Sequence, residues 1–210
     1  MNPMKKILCF GDSNTYGFIP QTCKRYEAQD RWSGILQNLL GDDYEVLEQG
    51  MNNRTGFFKN PENIKLCGGE YLPIYLQNHH DIDICILELG TNDAQFFYDY
   101  SAEAVREGLQ KLINSIHEAN PSTKIIIVPP VKIQANILDG IFAMYFNLES
   151  VEKISQTFGI YKEIAQKNKC YYLDFNESVK PSEIDGLHYS AASHRIIACK
   201  VAAFIKLNNL

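Results

Sequence analysis

The chain has 210 residues, of which 45% are hydrophobic and 21% charged, a composition that favours one folded domain over a disordered chain. Its formal net charge at pH 7 is -5. This balance argues against nucleic acid or an anionic membrane surface as the partner, because phosphate binding needs a basic face.

The chain begins with a basic segment, residues 1–6, followed by an apolar stretch of only four residues, 7–10. A secretory signal has a longer apolar region and a small-residue cleavage site, and no apolar run here approaches membrane-spanning length. The six cysteines include no C-x-x-C pair, and neither cysteines nor histidines cluster at metal-ligand spacing. We therefore expect a cytoplasmic protein with no membrane partner, reduced and mostly buried cysteines, and no metal site.

Five short apolar runs predict the strands of a parallel sheet. They are rich in Ile, Val, Leu and Tyr, and most do not alternate with polar residues, which is typical of strands buried on both faces. In chain order the runs are residues 6–10, 44–48, 82–89, 124–131 and 170–175.

Amphipathic helices are predicted between these strands. Their apolar stripes cover residues 32–40, 105–116, 151–164 and 196–205, and residues 60–80 are predicted to be helical after Leu66 with a break at Gly68-Gly69. Gly41 follows the first helix as a C-terminal stop, and Ser101 and Ser190 are candidate N-caps. Strands that alternate with helices predict an α/β sandwich with right-handed crossovers.

The segment of residues 133–148 is longer than a usual strand-to-helix connection and rich in apolar residues. Two interpretations stay open at this stage. The segment is either a short helix packed on the core, or a pocket wall, lid or subunit contact.

Residues suited to chemistry follow the predicted strands at their carboxyl ends. They are Ser13 after the first strand, Gly50 and Asn52 after the second, Asn92 and Asp93 after the third, and Asp185 and His188 after the fifth. Ligands of open α/β sheets bind at this edge. Each residue alone has a simpler explanation as a turn, cap or surface residue, but their common edge predicts one site.

These residue types fit acyl transfer by a serine nucleophile. The Ser13 hydroxyl needs a base, and a histidine such as His188, with a reference pKa of about 6.5, accepts and returns protons near neutral pH. Asp185 lies three residues before His188, and Gly186 between them permits a turn that returns the carboxylate to the imidazole. Backbone N–H groups of Ser13 and Gly50 and the side-chain amide of Asn92 are the predicted donors to the oxyanion.

Four blocks together resemble the SGNH superfamily of hydrolases, also called GDSL-type esterases and lipases. They are Gly11-Asp12-Ser13-Asn14, Gly50, Gly90-Thr91-Asn92-Asp93 and Asp185-Gly186-Leu187-His188. The resemblance implies a three-layer α/β/α, flavodoxin-like fold with a five-stranded parallel sheet in the order 2-1-3-4-5, formed as one domain by residues 1–210. It also implies hydrolysis of small-molecule esters or thioesters without a metal or organic cofactor.

More narrowly, the segments Arg31-Trp32-Ser33-Gly34 and Gln49-Gly50-Met51-Asn52-Asn53-Arg54-Thr55 resemble the arylesterase-like branch. Asn14 stands where many relatives carry leucine, and Tyr16 where many arylesterases carry tryptophan. We take these two residues, with Met51 and Asp93, as candidates for the substrate pocket. Relatives in this branch often assemble, so a homo-oligomer is a further expectation.

Arg54 and Trp32 have no role in the predicted reaction. For Arg54, a contact with a substrate or interface carboxylate competes with a structural ion pair, and the ion pair is preferred. Trp32 heads an apolar helix face and is expected in the core.

The sequence therefore predicts a serine ester hydrolase that forms an acyl-enzyme, acting on short-chain esters of carbohydrate, aryl or other small alcohols. One alternative is a flavodoxin-like protein that binds FMN phosphate at residues 12–15. That alternative leaves Asn92, Asp185 and His188 without a purpose. The other alternative is a non-catalytic, carbohydrate-binding relative with the same fold.

Overall fold

A computed structural model describes residues 3–59 and 63–210 of the chain. The described strands are Lys5–Gly11 (β1), Tyr44–Gly50 (β2), Ile84–Glu88 (β3), Lys124–Val128 (β4) and Tyr171–Tyr172 (β5). They form one parallel sheet in the order β2-β1-β3-β4-β5. The predicted α/β fold and strand order are confirmed.

Helices cover both faces of this sheet. In the described residues they are Ser13–Tyr16 (α1), Trp32–Leu40 (α2), Gly68–Leu76 (α3), Ala102–Ala119 (α4), Leu148–Lys167 (α5) and Ala191–Leu207 (α6). Helices α3, α4 and α5 share one apolar core with the sheet, and α2 and α6 share the other. The short helix α1 lies at the carboxyl edge, directly after β1.

The predicted helix ends are confirmed where a side chain or a glycine specifies them. Ser101 and Ser190 accept backbone hydrogen bonds in the first turns of α4 and α6, each at 3.2 Å. Helix α2 ends before Gly41, whose φ is +71°. Helix α5 continues without interruption through Gly159, because its apolar face packs on the core along its length.

Two element predictions were wrong. Helix α3 is not broken at Gly68-Gly69 but begins there, because both glycine N–H groups donate to carbonyls of the loop at residues 55 and 56, at 2.7 and 3.0 Å. Residues 60–62, at the start of the predicted helical region, lie outside the described residues. Strand β5 is shorter than predicted, because the Asp174 carboxylate takes the Asn176 N–H at 2.9 Å in a turn that ends the pairing.

In residues 3–59 and 63–210, no helix has the length and apolar character needed to cross a membrane. The same part of the chain contains no group of three His, Cys, Asp or Glu side chains arranged to hold a metal ion. All six cysteines are free. Cys9, Cys67 and Cys85 are buried, whereas Cys23 and Cys199 are exposed. Fewer of the cysteines are therefore buried than the sequence led us to expect.

Candidate active site

Ser13 is the first residue of α1 and lies just beyond the carboxyl end of β1. The Asp12 carboxylate caps this short helix by accepting the Asn14 N–H at 2.9 Å. Ser13 is 7% exposed and lines a cavity at this edge of the sheet. The cap and the strand end together fix the direction in which the serine hydroxyl points.

Ser13, His188 and Asp185 form a continuous chain of hydrogen bonds. Ser13 Oγ lies 3.0 Å from His188 Nε2, and His188 Nδ1 lies 2.8 Å from Asp185 Oδ2. Gly186, with φ +68°, turns the backbone so that Asp185 Oδ1 also accepts the Leu187 and His188 N–H groups at 3.0 Å. This arrangement can pass a proton from the serine to the imidazole.

The environment of Asp185 favours its charged form. Burial opposes ionisation, but the hydrogen bond and charge of His188 and the two backbone N–H donors outweigh it. They hold the pKa of the Asp185 carboxyl below its ordinary value. The carboxylate is thus available to stabilise an imidazolium.

Two aromatic rings hold the imidazole of His188 from its sides. The Phe18 ring centroid lies 4.4 Å from that of His188, and the Phe142 centroid lies 5.2 Å away in an edge-on arrangement. These apolar contacts restrict the ring and keep water from its flanks.

A cavity of about 650 Å³ opens beside Ser13 and His188. Its apolar wall consists of Phe18, Ile141, Phe142, Tyr145, Phe146 and Leu187. Its other side carries five carboxamide side chains, those of Gln21, Asn52, Asn53, Asn92 and Gln95. Among the described residues, no Lys, Arg, Asp or Glu lines the cavity.

The segment of residues 133–148 supplies much of the apolar wall. It contains two 3-10 helices, Ala135–Asp139 and Ile141–Met144, in place of the single short helix considered from the sequence. Ile141, Phe142, Tyr145 and Phe146 line the cavity. The run of apolar residues was the sequence signal for this segment. Of the two interpretations left open, the position of these side chains at the cavity fits a pocket wall.

Asn92 lines the same cavity as Ser13 and His188. Its Nδ2 donates one hydrogen bond to Arg54 O at 3.0 Å, and its Oδ1 accepts from Gln95 Nε2 at 3.1 Å. An amide nitrogen carries two hydrogens, so one N–H remains for a ligand. The backbone N–H of Ser13 is also available to a ligand, because an N–H in the first turn of a helix has no acceptor within that helix.

The structure contradicts the expectation that the Gly50 N–H points into the site. Gly50 does not line the cavity, and the next residue, Met51, donates its N–H to Gly11 O of β1 at 3.2 Å. Successive N–H groups of a strand point to opposite sides, so that of Gly50 points away from β1. Gly50 is needed for packing instead, because a Cβ there would lie 2.1 Å from Tyr16 N.

The sequence reasoning did not single out Asn53. It lines the cavity, and its φ is +61° in a turn closed by the Arg54 N–H and Met51 O at 3.2 Å. Asn is among the few residue types that adopt this left-handed conformation readily. Within the described residues the Asn53 N–H has no hydrogen-bond acceptor. The Asn-Asn pair before Arg54 was the only sequence signal for this turn.

Asn14 and Tyr16 were expected in the pocket, but neither lines the cavity. The Asn14 side chain is buried, where Nδ2 donates to Leu187 O at 3.4 Å and Oδ1 accepts the Tyr189 N–H at 3.0 Å. The guanidinium carbon of Arg25 lies over the Tyr16 ring, 4.7 Å from the ring centroid. Of the four residues of α1, only Ser13 lines the cavity, and the side chains of Asn14 and Tyr16 contact other parts of the protein.

Met51 and Asp93 are also absent from the cavity wall. The Met51 backbone belongs to the contact with Gly11 at the end of the sheet. The Asp93 carboxylate is fully buried and accepts the N–H groups of Gly56 and Phe57 at 2.6 and 2.8 Å, which fixes the loop after β2. Burial raises the pKa of Asp93 to about 7.

Arg54 makes neither of the carboxylate contacts considered from the sequence. Its buried guanidinium donates to backbone carbonyls, including Gly11 O at 3.0 Å and Gln49 O, and lies 4.4 Å from the ring centroid of Phe10. Burial lowers the pKa of Arg54 to about 10. The ion-pair prediction is therefore wrong, and Arg54 instead joins the ends of β1 and β2.

Trp32 lies in the core, as predicted. Its backbone N–H donates to Nδ1 of the buried His194 at 3.3 Å. Burial lowers the pKa of His194 to about 3, so this histidine is neutral and structural.

Glu88, at the end of β3, is a buried carboxylate that the sequence reasoning did not single out. It accepts hydrogen bonds from Thr15 Oγ1 at 2.5 Å and from the Tyr189 hydroxyl at 2.6 Å. It therefore connects the helix that carries Ser13 to the residue after His188. Burial and then the charge of Asp12 raise the pKa of Glu88 to about 7.

The sheet order and the blocks at its carboxyl edge define an SGNH-type hydrolase. Residues 9–196 match the GDSL-like lipase/acylhydrolase family, and the chain belongs to that family. It is an enzyme that hydrolyses ester bonds. The alternatives of an FMN-binding protein and of a non-catalytic relative are thereby set aside.

Two of the solved structures that are similar to this chain are described as esterases. The aryl esterase of M. smegmatis is 26% identical, with coverage of 96% of this chain and 98% of that one and a TM-score of 0.88. Est24, a carbohydrate acetylesterase from Sinorhizobium meliloti, is 28% identical, with coverage of 97% and 99% and a TM-score of 0.86. A third structure is 32% identical over 97% of both chains, with a TM-score of 0.88. No curated protein matches the sequence.

Proposed function

We propose that Ser13, His188 and Asp185 act as a catalytic triad in a two-step ester hydrolysis. The observation that carries this proposal is the unbroken chain of contacts, 3.0 Å from Ser13 Oγ to His188 Nε2 and 2.8 Å from His188 Nδ1 to Asp185 Oδ2. These lengths are within the range of direct hydrogen bonds. This series of hydrogen bonds ends at a cavity large enough for a small ester.

In the first step Ser13 Oγ attacks the ester carbonyl while His188 Nε2 takes the hydroxyl proton. The tetrahedral intermediate collapses, its bond to the alcohol oxygen breaks, and His188 returns the proton to that oxygen. In the second step His188 removes a proton from water, which attacks the acyl-enzyme, and Ser13 leaves with its proton restored. Asp185 holds the imidazole and stabilises its charged form in both steps.

Three donors are available to the oxyanion of each tetrahedral intermediate. They are the Ser13 N–H, the free side-chain N–H of Asn92 and the Asn53 N–H, which replaces the Gly50 N–H expected from the sequence. Asn53 is supported by its position on the cavity wall and by its left-handed backbone. Donors fixed in advance stabilise developing charge without reorganisation.

The substrate class we propose is the short-chain ester, acetate above all, of an uncharged small alcohol such as a carbohydrate or a phenol. The aromatic wall offers faces on which a sugar or aryl ring can stack, and the five carboxamides offer donors and acceptors to hydroxyl groups. Of the two similar structures, one is described as an aryl esterase and the other as a carbohydrate acetylesterase.

An ester panel that varies acyl length and alcohol tests this function. We expect turnover of short-chain p-nitrophenyl and sugar acetates to fall as the acyl chain lengthens, and to be abolished by Ser13→Ala. Ser122→Ala removes an exposed serine far along the chain and is the matched control. A fluorophosphonate should label the parent protein and the control but not Ser13→Ala. Wild-type turnover by Ser13→Ala would disprove the triad.

A further inference from the structure

The side chain of Asn14 connects the nucleophile helix to the backbone on both sides of His188. Its Nδ2 donates to Leu187 O at 3.4 Å, and its Oδ1 accepts the Tyr189 N–H at 3.0 Å. Leu187 and Tyr189 are the two neighbours of His188 in the chain, and Asn14 is the neighbour of Ser13. One carboxamide therefore spans the gap between two segments that lie about 175 residues apart in sequence.

This connection bears on the distance between the reacting side chains of Ser13 and His188. Ser13 and His188 meet through a single 3.0 Å hydrogen bond between two rotatable side chains. Asn14 holds the backbone atoms beneath them, because both of its partners are main-chain groups. It is buried and absent from the cavity wall, so its side chain does not reach a substrate held there.

We propose that Asn14 is a positioning residue, which keeps His188 within hydrogen-bond reach of Ser13 during the reaction. The proposal rests on the triad proposed above. Leucine, which many relatives carry here, has a similar size but can neither donate to Leu187 O nor accept from the Tyr189 N–H. A chain with leucine at this position needs another means of fixing the loop.

A second connection allows Asn14 to be tested in a folded protein. Glu88 accepts from Thr15 Oγ1 at 2.5 Å and from the Tyr189 hydroxyl at 2.6 Å, so it joins the same two segments through other atoms. We expect this link to keep the segments together when Asn14 is replaced, while the backbone beside His188 gains freedom.

The experiment compares Asn14→Leu and Asn14→Ala with the parent enzyme on p-nitrophenyl acetate. A displacement of about 1 Å in a catalytic group costs about 10²-fold, so we expect kcat to fall by about 10- to 100-fold. KM should stay within about twofold, and fluorophosphonate labelling of Ser13 should slow in parallel with kcat. Asn168→Leu is the matched control, because Asn168 also bonds a backbone carbonyl, Ile164 O at 2.9 Å, but lies at the end of α5.

Asn14→Asp serves as the conservative variant. It keeps an oxygen that accepts the Tyr189 N–H but loses the donor to Leu187 O, so its kcat should lie between those of the parent and Asn14→Leu. Its KM should stay within about twofold of the parent value, because Asn14 does not line the cavity. A purely structural role would alter thermal stability and leave the kcat of the folded protein unchanged.

Wild-type kcat in either folded variant, Asn14→Leu or Asn14→Ala, would overturn the proposal. So would a rise in KM with unchanged kcat, because that result would assign Asn14 to substrate binding. If neither variant folds, Asn14→Asp decides, and a parental kcat with a parental rate of fluorophosphonate labelling counts against the proposal. Failure of the triad itself would instead appear as turnover by Ser13→Ala.

Discussion

Glu88 links the stability of this fold to pH, and Glu88→Gln should remove that link. The Glu88 side chain is 3% exposed and accepts hydrogen bonds from the hydroxyls of Thr15 and Tyr189. Burial, followed by the charge of Asp12, raises its pKa from the ordinary 4.5 to about 7. Gln fills the same volume without a titratable group, and one of the two hydroxyls can turn to accept its N–H.

The sign and size of the effect follow from this pKa. Below pH 4.5 both the folded and the unfolded chain hold the Glu88 proton, so the group costs nothing. As the pH rises from 4.5 to about 7, the unfolded chain releases the proton while the folded chain keeps it, and the free energy of unfolding falls. At about 1.4 kcal/mol per pH unit, Glu88 lowers stability by about 3 kcal/mol across this window.

Urea denaturation at pH 5, 6, 7 and 8 measures this contribution. We expect the stability of Glu88→Gln, relative to the parent protein, to rise by about 2.5 kcal/mol from pH 5 to pH 8, because part of the effect is already present at pH 5. Glu177→Gln, at an exposed site, is the control and should follow the parent curve. Parallel curves for Glu88→Gln and the parent would refute the reasoning, since they would mean that Glu88 is charged in the folded state throughout.

Three further predictions concern the site and the packing beneath it. Asp185→Asn should lower kcat by about 10⁴-fold in an esterase assay, because the imidazole loses its orienting carboxylate, and a near-normal kcat would exclude that role. Asn92→Ala should lower kcat by about 10²–10³-fold with little change in KM, whereas an unchanged kcat would remove Asn92 from the oxyanion site. Gly50→Ala should destabilise the fold by about 1–3 kcal/mol or more in thermal melts, because its Cβ would lie 2.1 Å from Tyr16 N. Gly159→Ala, on the exposed side of α5 with nothing within 4 Å, should instead be neutral or stabilising, and equal losses in both variants would contradict the packing argument.

The sequence could predict those features that depend on short stretches of chain. A run such as residues 124–131 is apolar because its strand is buried on both faces, and Ser101 caps α4 through a hydrogen bond three residues away. Asp185 and His188 are likewise three residues apart, so the composition of one turn already indicates their contact. Strand order came from the family resemblance, since apolar runs alone do not specify which strands pair.

Features that depend on register and loop conformation were not predictable in this way. The direction of the Gly50 N–H follows from its pairing with β1, which no local pattern encodes. The role of Asn53 depends on a positive φ in a turn that only the folded loop reveals. Arg54 was expected to pair with a carboxylate, but its partners are backbone carbonyls, and sequence carries no signal for these.

Under the proposed mechanism, the two residues that follow Ser13 affect rate more than substrate choice. Helix α1 has only four residues, so a single residue, Ser13, faces the cavity, while Asn14 and Thr15 turn into the protein. There they bond to the loop of His188 and to Glu88. The cavity wall comes mostly from other segments, among them residues 141–146, some of whose apolar side chains line the cavity while others are exposed. In the proposed reaction the contacts of Asn14 position the reacting groups and residues 141–146 contact the ester, so substitutions in residues 141–146 should change substrate preference more than the contact between Ser13 and His188.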